Sequence, residues 1–272
     1  MPMEPDVAST SSHQELKGMR EPARSMADPR VCGIIPTLRN AHELEIAREG
    51  LCNQTWKGAL EIAIVGPTGD PGQEVAQKKG VTWIDDQGSR TRADACNVAL
   101  QAVECDFVFF TDDDVWGSED WVEKLVRWFE QEEVAGVGGP NFAPSDSRST
   151  FWQRVIDVTF CSKWVTAGTN YGNRGTETLT EANQLPGVNA AYRKSVLDDV
   201  QGFDVGAIGC EDAMMDYRIE QKGYKLWQDR DAIMWHRRRN PSRVRKQIRN
   251  YGLVRILASN LHPGMKSWSH TA

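Results

Sequence analysis

Phe107-Val108-Phe109-Phe110-Thr111-Asp112-Asp113-Asp114 is the stretch on which the reading of this chain turns. Four consecutive large apolar residues make a short run of the kind that forms a strand buried on both faces. The three carboxylates at its end stand where open α/β sheets bind their ligands, outside the C-terminal ends of the strands. The same grammar repeats upstream. Residues 31–35, stopped by Pro36, then 60–65 and 81–84 are apolar strand runs, and 41–52, 73–79 and 91–103 suit helices. Downstream, 118–132 has Trp121, Leu125 and Trp128 spaced for one helical face, and 134–139 reads as a strand. Residues 151–167 are apolar enough for a helix, 168–183 read as a polar, Gly-rich loop, and 185–192 are strand-like. A helix over 211–222, ended by Gly223, and a basic helix over 241–259 close the pattern. Alternating strands and helices predict an α/β fold: one domain over 31–259, with a mostly parallel central sheet flanked by helices. Residues 1–30 and 260–272 are expected to be tails.

Composition narrows the function classes. The chain has 272 residues, 26% of them charged, and no apolar run of the roughly 18–20 residues a membrane helix needs. Neither a signal peptide nor a transmembrane segment is expected, so the cytosol is the expected location. Six cysteines lack CxxC or zinc spacing and read as reduced thiols in or near the core. The net charge of −6 is uneven: from His236 onward there are nine Lys or Arg and no Asp or Glu. A basic segment on an acidic body predicts a local anionic partner, either phosphates or a membrane surface at its cytoplasmic face. Nucleic acid is not expected, because the acidic body would repel it.

Three adjacent carboxylates repel one another and favour a positive ligand. A hard divalent cation, Mg2+ or Mn2+, fits, since such ions use one or two carboxylates plus substrate phosphates. The competing reading is an acidic, solvated turn.

Five motifs in order weigh against that turn. They are Val31-Cys32-Gly33-Ile34-Ile35-Pro36-Thr37-Leu38-Arg39-Asn40; Arg92 and Asn97 ahead of the acidic triplet; Leu185-Pro186-Gly187-Val188-Asn189-Ala190-Ala191-Tyr192-Arg193; Gly202-Phe203-Asp204 followed by Glu211-Asp212; and Trp235-His236-Arg237-Arg238-Arg239. From Val31 to about Tyr251 the chain resembles family 2 glycosyltransferases, inverting enzymes of the Rossmann-like GT-A fold. The resemblance implies a nucleotide-sugar-binding half over 31–115, an acceptor-side half over 116–236 and a basic helix over 237–259. It implies a nucleotide-sugar donor held by Pro36, Thr37, Asp70, Arg92, Asp112, Asp113, Arg238 and Arg239. Asp114 and His236 would hold the metal. Asp212, backed by Glu211, would take the proton from a glycan or lipid-linked acceptor. Placed at a helix N-terminus, Asp212 is expected to have a lowered pKa. Without the other motifs, Glu211 and Asp212 would read as a solvated helix start.

One departure stands out. Family members commonly carry Asp where this chain has Gly66, which weakens the case for uridine, although a UDP-sugar stays the favoured donor and a GDP-sugar the second. The basic helix is expected either to lie on an anionic membrane or to pack with its Arg groups near the diphosphate. Competing activities are a sugar-1-phosphate nucleotidyltransferase, disfavoured by a first loop without Gly, a glycosidase, and a catalytically inactive sugar-binding relative. The discriminator is whether Asp114, Asp212 and His236 converge.

Overall fold

The computed structural model describes residues 29–78, 80–146, 149–162 and 177–265. Eight strands form the main sheet: β1 (Val31–Pro36), β2 (Leu60–Gly66), β3 (Val81–Asp85), β4 (Phe107–Phe110), β6 (Val134–Gly138), β8 (Leu179–Ala182), β9 (Ala190–Arg193) and β10 (Lys225–Asp229). Their order is β3-β2-β1-β4-β9-β6-β10-β8. The pairs β3–β2, β2–β1, β1–β4 and β6–β10 are parallel, while β9 runs antiparallel to both β4 and β6. A second, three-stranded sheet contains β5 (Val115–Gly117), β11 (Met234–His236) and β7 (Asn141–Phe142), in the order β5-β11-β7.

The helices are α1 (Ala41–Cys52), α2 (Gly72–Ala76), α3 (Arg92–Ala102), α4 (Trp121–Val126), α5 (Phe151–Phe160), α6 (Lys194–Asp199), α7 (Glu211–Gln221) and α8 (Pro241–Leu261). Strand alternation divides the core into two layers. On one face Cys32, Ile34, Val108 and Phe110 meet Ala93, Cys96 and Leu100 of α3 and Met215 and Ile219 of α7. On the other, Val31, Ile35, Phe107 and Phe109 meet Leu44 of α1 and Trp121 and Leu125 of α4. The first half of the main sheet therefore follows the expected grammar closely, with every residue of β4 buried.

Departures lie in the second half. The stretch 118–132 is not one helix: α4 gives way to a 3-10 turn over Arg127–Glu130. Residues 179–182, expected as loop, form the strand β8, which among the described residues is an edge strand paired with β10 alone. Its sequence, Leu-Thr-Glu-Ala, is half polar because an edge strand is covered less than a central one. Of 185–192, only 190–192 are extended; the preceding residues turn beneath α7. Helix α5 ends at Phe160, and residues 163–167 of the expected helix lie outside the described residues, as do 168–176 of the expected loop. Most of the expected N-terminal tail, and the last seven residues of the C-terminal one, also fall outside them. None of the six cysteines is in a disulfide; Cys32 and Cys96 are buried, whereas Cys52 is exposed rather than in the core. Among the described residues, no helix is long and apolar enough to cross a membrane.

Candidate active site

The acid triplet follows β4 directly, and each carboxylate meets a different environment. Asp113 points back into the protein. It accepts a hydrogen bond from Thr37 Oγ1 at 2.6 Å and another from Asn40 Nδ2 at 2.9 Å. Burial lifts its pKa to about 6, although both bonds pull it down. Thr37 and Asn40 thus clamp the turn after β1 to the end of β4, and both oxygens of Asp113 are used inside the protein.

Asp112 belongs to a second cluster. Arg92, the first residue of α3, donates Nε to Asp112 Oδ1 at 2.9 Å and a terminal nitrogen to Gly187 O at 2.9 Å. It also lies 3.7 Å from Glu211. Gly187 N donates to Asp212 Oδ2 at 3.1 Å. A Cβ on Gly187 would sit 2.6 Å from that carboxylate, so only glycine allows the approach. Burial works against the charge on Arg92, but Asp112, Asp212 and Glu211 outweigh it and hold its pKa well above the ordinary value.

Burial raises the pKa of Asp212 and carries Glu211 to about 7, with Arg92 pulling both back. This corrects the expectation that the helix terminus lowers Asp212. The first turn of α7 is packed against protein, and desolvation of a carboxylate exceeds the benefit of the helix dipole there.

One turn further along α7, Asp216 is fully buried. Its oxygens accept from Leu185 N at 2.7 Å and Tyr192 Oη at 2.9 Å. Asp212 and Asp216 together stitch the turn over 185–187 to α7. Burial pushes Asp216 well above the carboxyl range. Sequence reasoning missed Asp216 and the role of Gly187. The available signal was the spacing of Asp212 and Asp216, which places both on one helical face.

Asp114 faces the other way. Strand β11 pairs antiparallel with β5, setting His236 opposite Val115 and hence beside Asp114. His236 Nε2 lies 3.4 Å from Asp114 Oδ2. Asn189 holds this small sheet in place, donating to both Pro140 O and Ala232 O from its buried amide. Burial raises the pKa of Asp114, but His236 and Arg239 prevail and keep it below the usual carboxylate value. Two donors 3.4 Å apart can share one ion with bonds of roughly 2.0–2.2 Å. Among the described residues no third His, Cys, Asp or Glu completes a cluster. That suits an ion which draws its other ligands from phosphates and water. His236 Nδ1 is buried without a hydrogen-bond partner.

Asp114 opens into a cleft of about 740 Å³, walled also by Asn40, Arg239, Arg243, Lys246 and Gln247. Like Asp113 with Thr37, the expected nucleotide contacts Asp70 and Arg238 are engaged inside the protein. Asp70 is buried and accepts from Arg39 N and Gly72 N, both at 2.7 Å, so it shapes the loop. Arg238 is buried, with Nε on Asp157 and its terminal nitrogens on Asn141. Arg238 and Arg239 both border the cleft, and of the two only Arg239 is exposed. Pro36 ends β1 beside the clamp. Gly66 has a packing reason: a Cβ there would lie 2.8 Å from Thr37 O and 2.9 Å from the Trp83 indole. Asp114 and His236 therefore converge, while Asp212 joins a separate cluster tied to Asp112 through Arg92.

The family model "Glycosyl transferase family 2" matches residues 32–201. A probable glycosyltransferase of Bacillus subtilis, YdaM, is 25% identical over 218 residues, covering 76% of this chain and 50% of its own length. An O-antigen chain rhamnosyltransferase of Salmonella typhimurium, RfbN, is 26% identical over 130 residues, covering 47% of this chain and 40% of its own. The chain spans about half the length of these relatives or less. A mannosyltransferase of Pyrobaculum calidifontis, solved with GDP-Man and Mn2+, superposes with a TM-score of 0.61 at 20% identity, covering 84% of this chain and 62% of that one. TarS of S. aureus, solved with UDP-GlcNAc, gives 0.60 at 16% identity, covering 85% of this chain and 65% of that one. At such identities the superpositions establish the GT-A fold. With the family match spanning most of the main sheet, including both clusters' strand β4, the chain belongs to glycosyl transferase family 2.

Proposed function

We propose that this chain is an inverting glycosyltransferase that moves a sugar from a nucleoside-diphosphate donor to a hydroxyl of a glycan or lipid-linked acceptor. The observation that carries the reading is the division of the acid triplet. Asp114 faces a cation-rich cleft, while Asp112 faces a buried carboxylate–arginine cluster that holds Asp212.

Asp114 and His236 would hold a divalent metal, Mn2+ or Mg2+, which when bound stabilises negative charge on the departing diphosphate. Arg239, Arg243 and Lys246 add fixed positive charge on the same side. Asp212, ionised, accepts the proton of the attacking hydroxyl. The C1–O bond to the diphosphate breaks as the bond to the acceptor oxygen forms. With base and leaving group on opposite sides, one displacement inverts the anomeric carbon. Arg92 opposes the rise that burial imposes on the pKa values of Asp212 and Glu211, and Asp216 fixes the turn that carries Gly187.

The named relatives and neighbours include rhamnosyl and mannosyl transferases and binders of GDP-Man and UDP-GlcNAc, which supports a nucleotide-sugar donor. Gly66 leaves no carboxylate at the end of β2. UDP, GDP and dTDP should therefore compete within ~100-fold of one another, about 2.7 kcal/mol. The test is turnover of a nucleotide-sugar panel with Mn2+ and no acceptor, with the anomer of the released sugar followed by NMR. Slow hydrolysis with inversion is expected. Retention, or no donor consumed in any member of the panel, would defeat the reading.

A further inference from the structure

Helix α5 is amphipathic with its faces reversed. Its polar residues Gln153 and Asp157 turn inward: Gln153 donates to Arg238 O at 2.6 Å, and Asp157 accepts from Ala143 N and Arg238 Nε. Its apolar stripe turns outward, with Phe151 70%, Trp152 60% and Val158 73% exposed. No residue of α5 is buried. Helix α8 lies alongside and is similarly uncovered; only Val244, Ala258 and Ser259 of it are buried. Its outer surface divides along its length. Arg245, Lys246 and Arg249 occupy the first half and Leu253, Ile256 and Leu257 the second, all exposed. Helix α8 has no Asp or Glu, and among the described residues these three cations have no carboxylate within ion-pairing distance. Between the helices runs an apolar groove of about 380 Å³, walled by Trp152, Val155, Ile156, Val244 and Ile248.

We propose that α5 and the outer face of α8 form a docking surface for an anionic lipid bilayer. Phe151, Trp152 and Val158 enter the interfacial zone, and Arg245 and Arg249 meet lipid phosphates. Exposed aromatic and aliphatic side chains beside unpaired cations are the composition of interfacial helices. A second copy of the chain fits the charge poorly. A two-fold interface here would bring an acid-free helix against itself, cation facing cation. An anionic surface is complementary to the cations and supplies an apolar layer for the stripe. This goes beyond sugar transfer and does not depend on it.

The test is co-sedimentation of the full chain with vesicles, either equimolar phosphatidylcholine and phosphatidylglycerol or phosphatidylcholine alone. Binding to the mixed vesicles is expected, with release as salt screens the attraction and little binding to the neutral ones. Arg245→Gln with Arg249→Gln should weaken partitioning about 25-fold, roughly fivefold per cation. Trp152→Ser with Val158→Ser should weaken it at least about tenfold. Both pairs are exposed, so each variant should melt with the parent, which separates lost docking from lost folding. Absence of parent binding to mixed vesicles at low salt would overturn the proposal, as would variants that bind like the parent. So would a concentration-dependent dimer that Trp152→Ser with Val158→Ser abolishes, since the face would then belong to a second copy.

Discussion

Asp112 and Asp114 stand two residues apart at the end of one strand, yet their surroundings are opposed. Asp112 joins Glu211 and Asp212 around a single guanidinium, where burial raises the pKa of both α7 carboxylates. Asp114 meets His236 and Arg239, which hold its pKa below the ordinary value despite burial. The difference is one of charge chemistry. A carboxylate cluster short of cations suits taking a proton from an acceptor, and a carboxylate among cations suits gripping a metal and phosphates. Asp113, between them, is locked by Thr37 and Asn40 and keeps the two apart.

The sharpest way to break this comparison is Asp212→Asn. The amide keeps the size but cannot take the proton, so transfer should fall roughly 10²–10⁴-fold while nucleotide affinity stays at the parent value. If kinetics show the same loss with Glu211→Gln and none with Asp212→Asn, the base is Glu211. Next in size is Gly187→Ala. Its Cβ would press on the Asp212 carboxylate, and a displacement near 1 Å should cost on the order of 10²-fold in kcat with little change in donor KM.

A pH profile sharpens the comparison further. The base works only when ionised, so a raised pKa moves the loss of activity upward in pH. Glu211 titrates near 7 and Asp212 above its ordinary value, in a cluster that also contains Arg92, Asp112 and Cys96, with Cys210 preceding them. Activity should therefore be full above neutrality and fall, as pH drops, at a pH above the ordinary carboxylate range, because burial raises the pKa of Asp212. A limb near pH 4 would mean that the carboxylates are well solvated. The smallest expected effect separates two neighbouring arginines. Arg238→Ala breaks a buried pair with Asp157 and should destabilise the fold by about 3 kcal/mol in denaturant titrations. Arg239→Ala should leave stability unchanged and weaken nucleoside diphosphate binding about fivefold or less.

The contrast between the clusters also separates what was legible in the sequence from what was not. Strands β1, β2 and β4 could be read because each is a run of mostly buried apolar residues bounded by turns. The triplet stood out for its chemistry, and its place at a strand end followed. The small sheet could not be read, because β5, β7 and β11 are three, two and three residues long. Such strands exist through pairing with distant segments, and periodicity cannot report that. His236 was reached by resemblance, whereas its register opposite Val115 emerges only in three dimensions. Arg238 and Arg239 look equivalent in a basic run. Only the fold shows that Asp157 and Asn141 claim the first and leave the second to the cleft. The raised pKa of Asp212 was missed for a similar reason. A helix N-terminus is visible in sequence, and the burial that overrides it is not.

The central claim is that Asp114 serves the donor and Asp212 the acceptor. Calorimetric titration of UDP and GDP, with and without Mn2+, into the parent, Asp114→Ala and Asp212→Asn tests it most directly. The account predicts that Mn2+ strengthens binding in the parent and in Asp212→Asn, and that this enhancement vanishes in Asp114→Ala. An enhancement that survives in Asp114→Ala, or disappears in Asp212→Asn, would contradict the assignment.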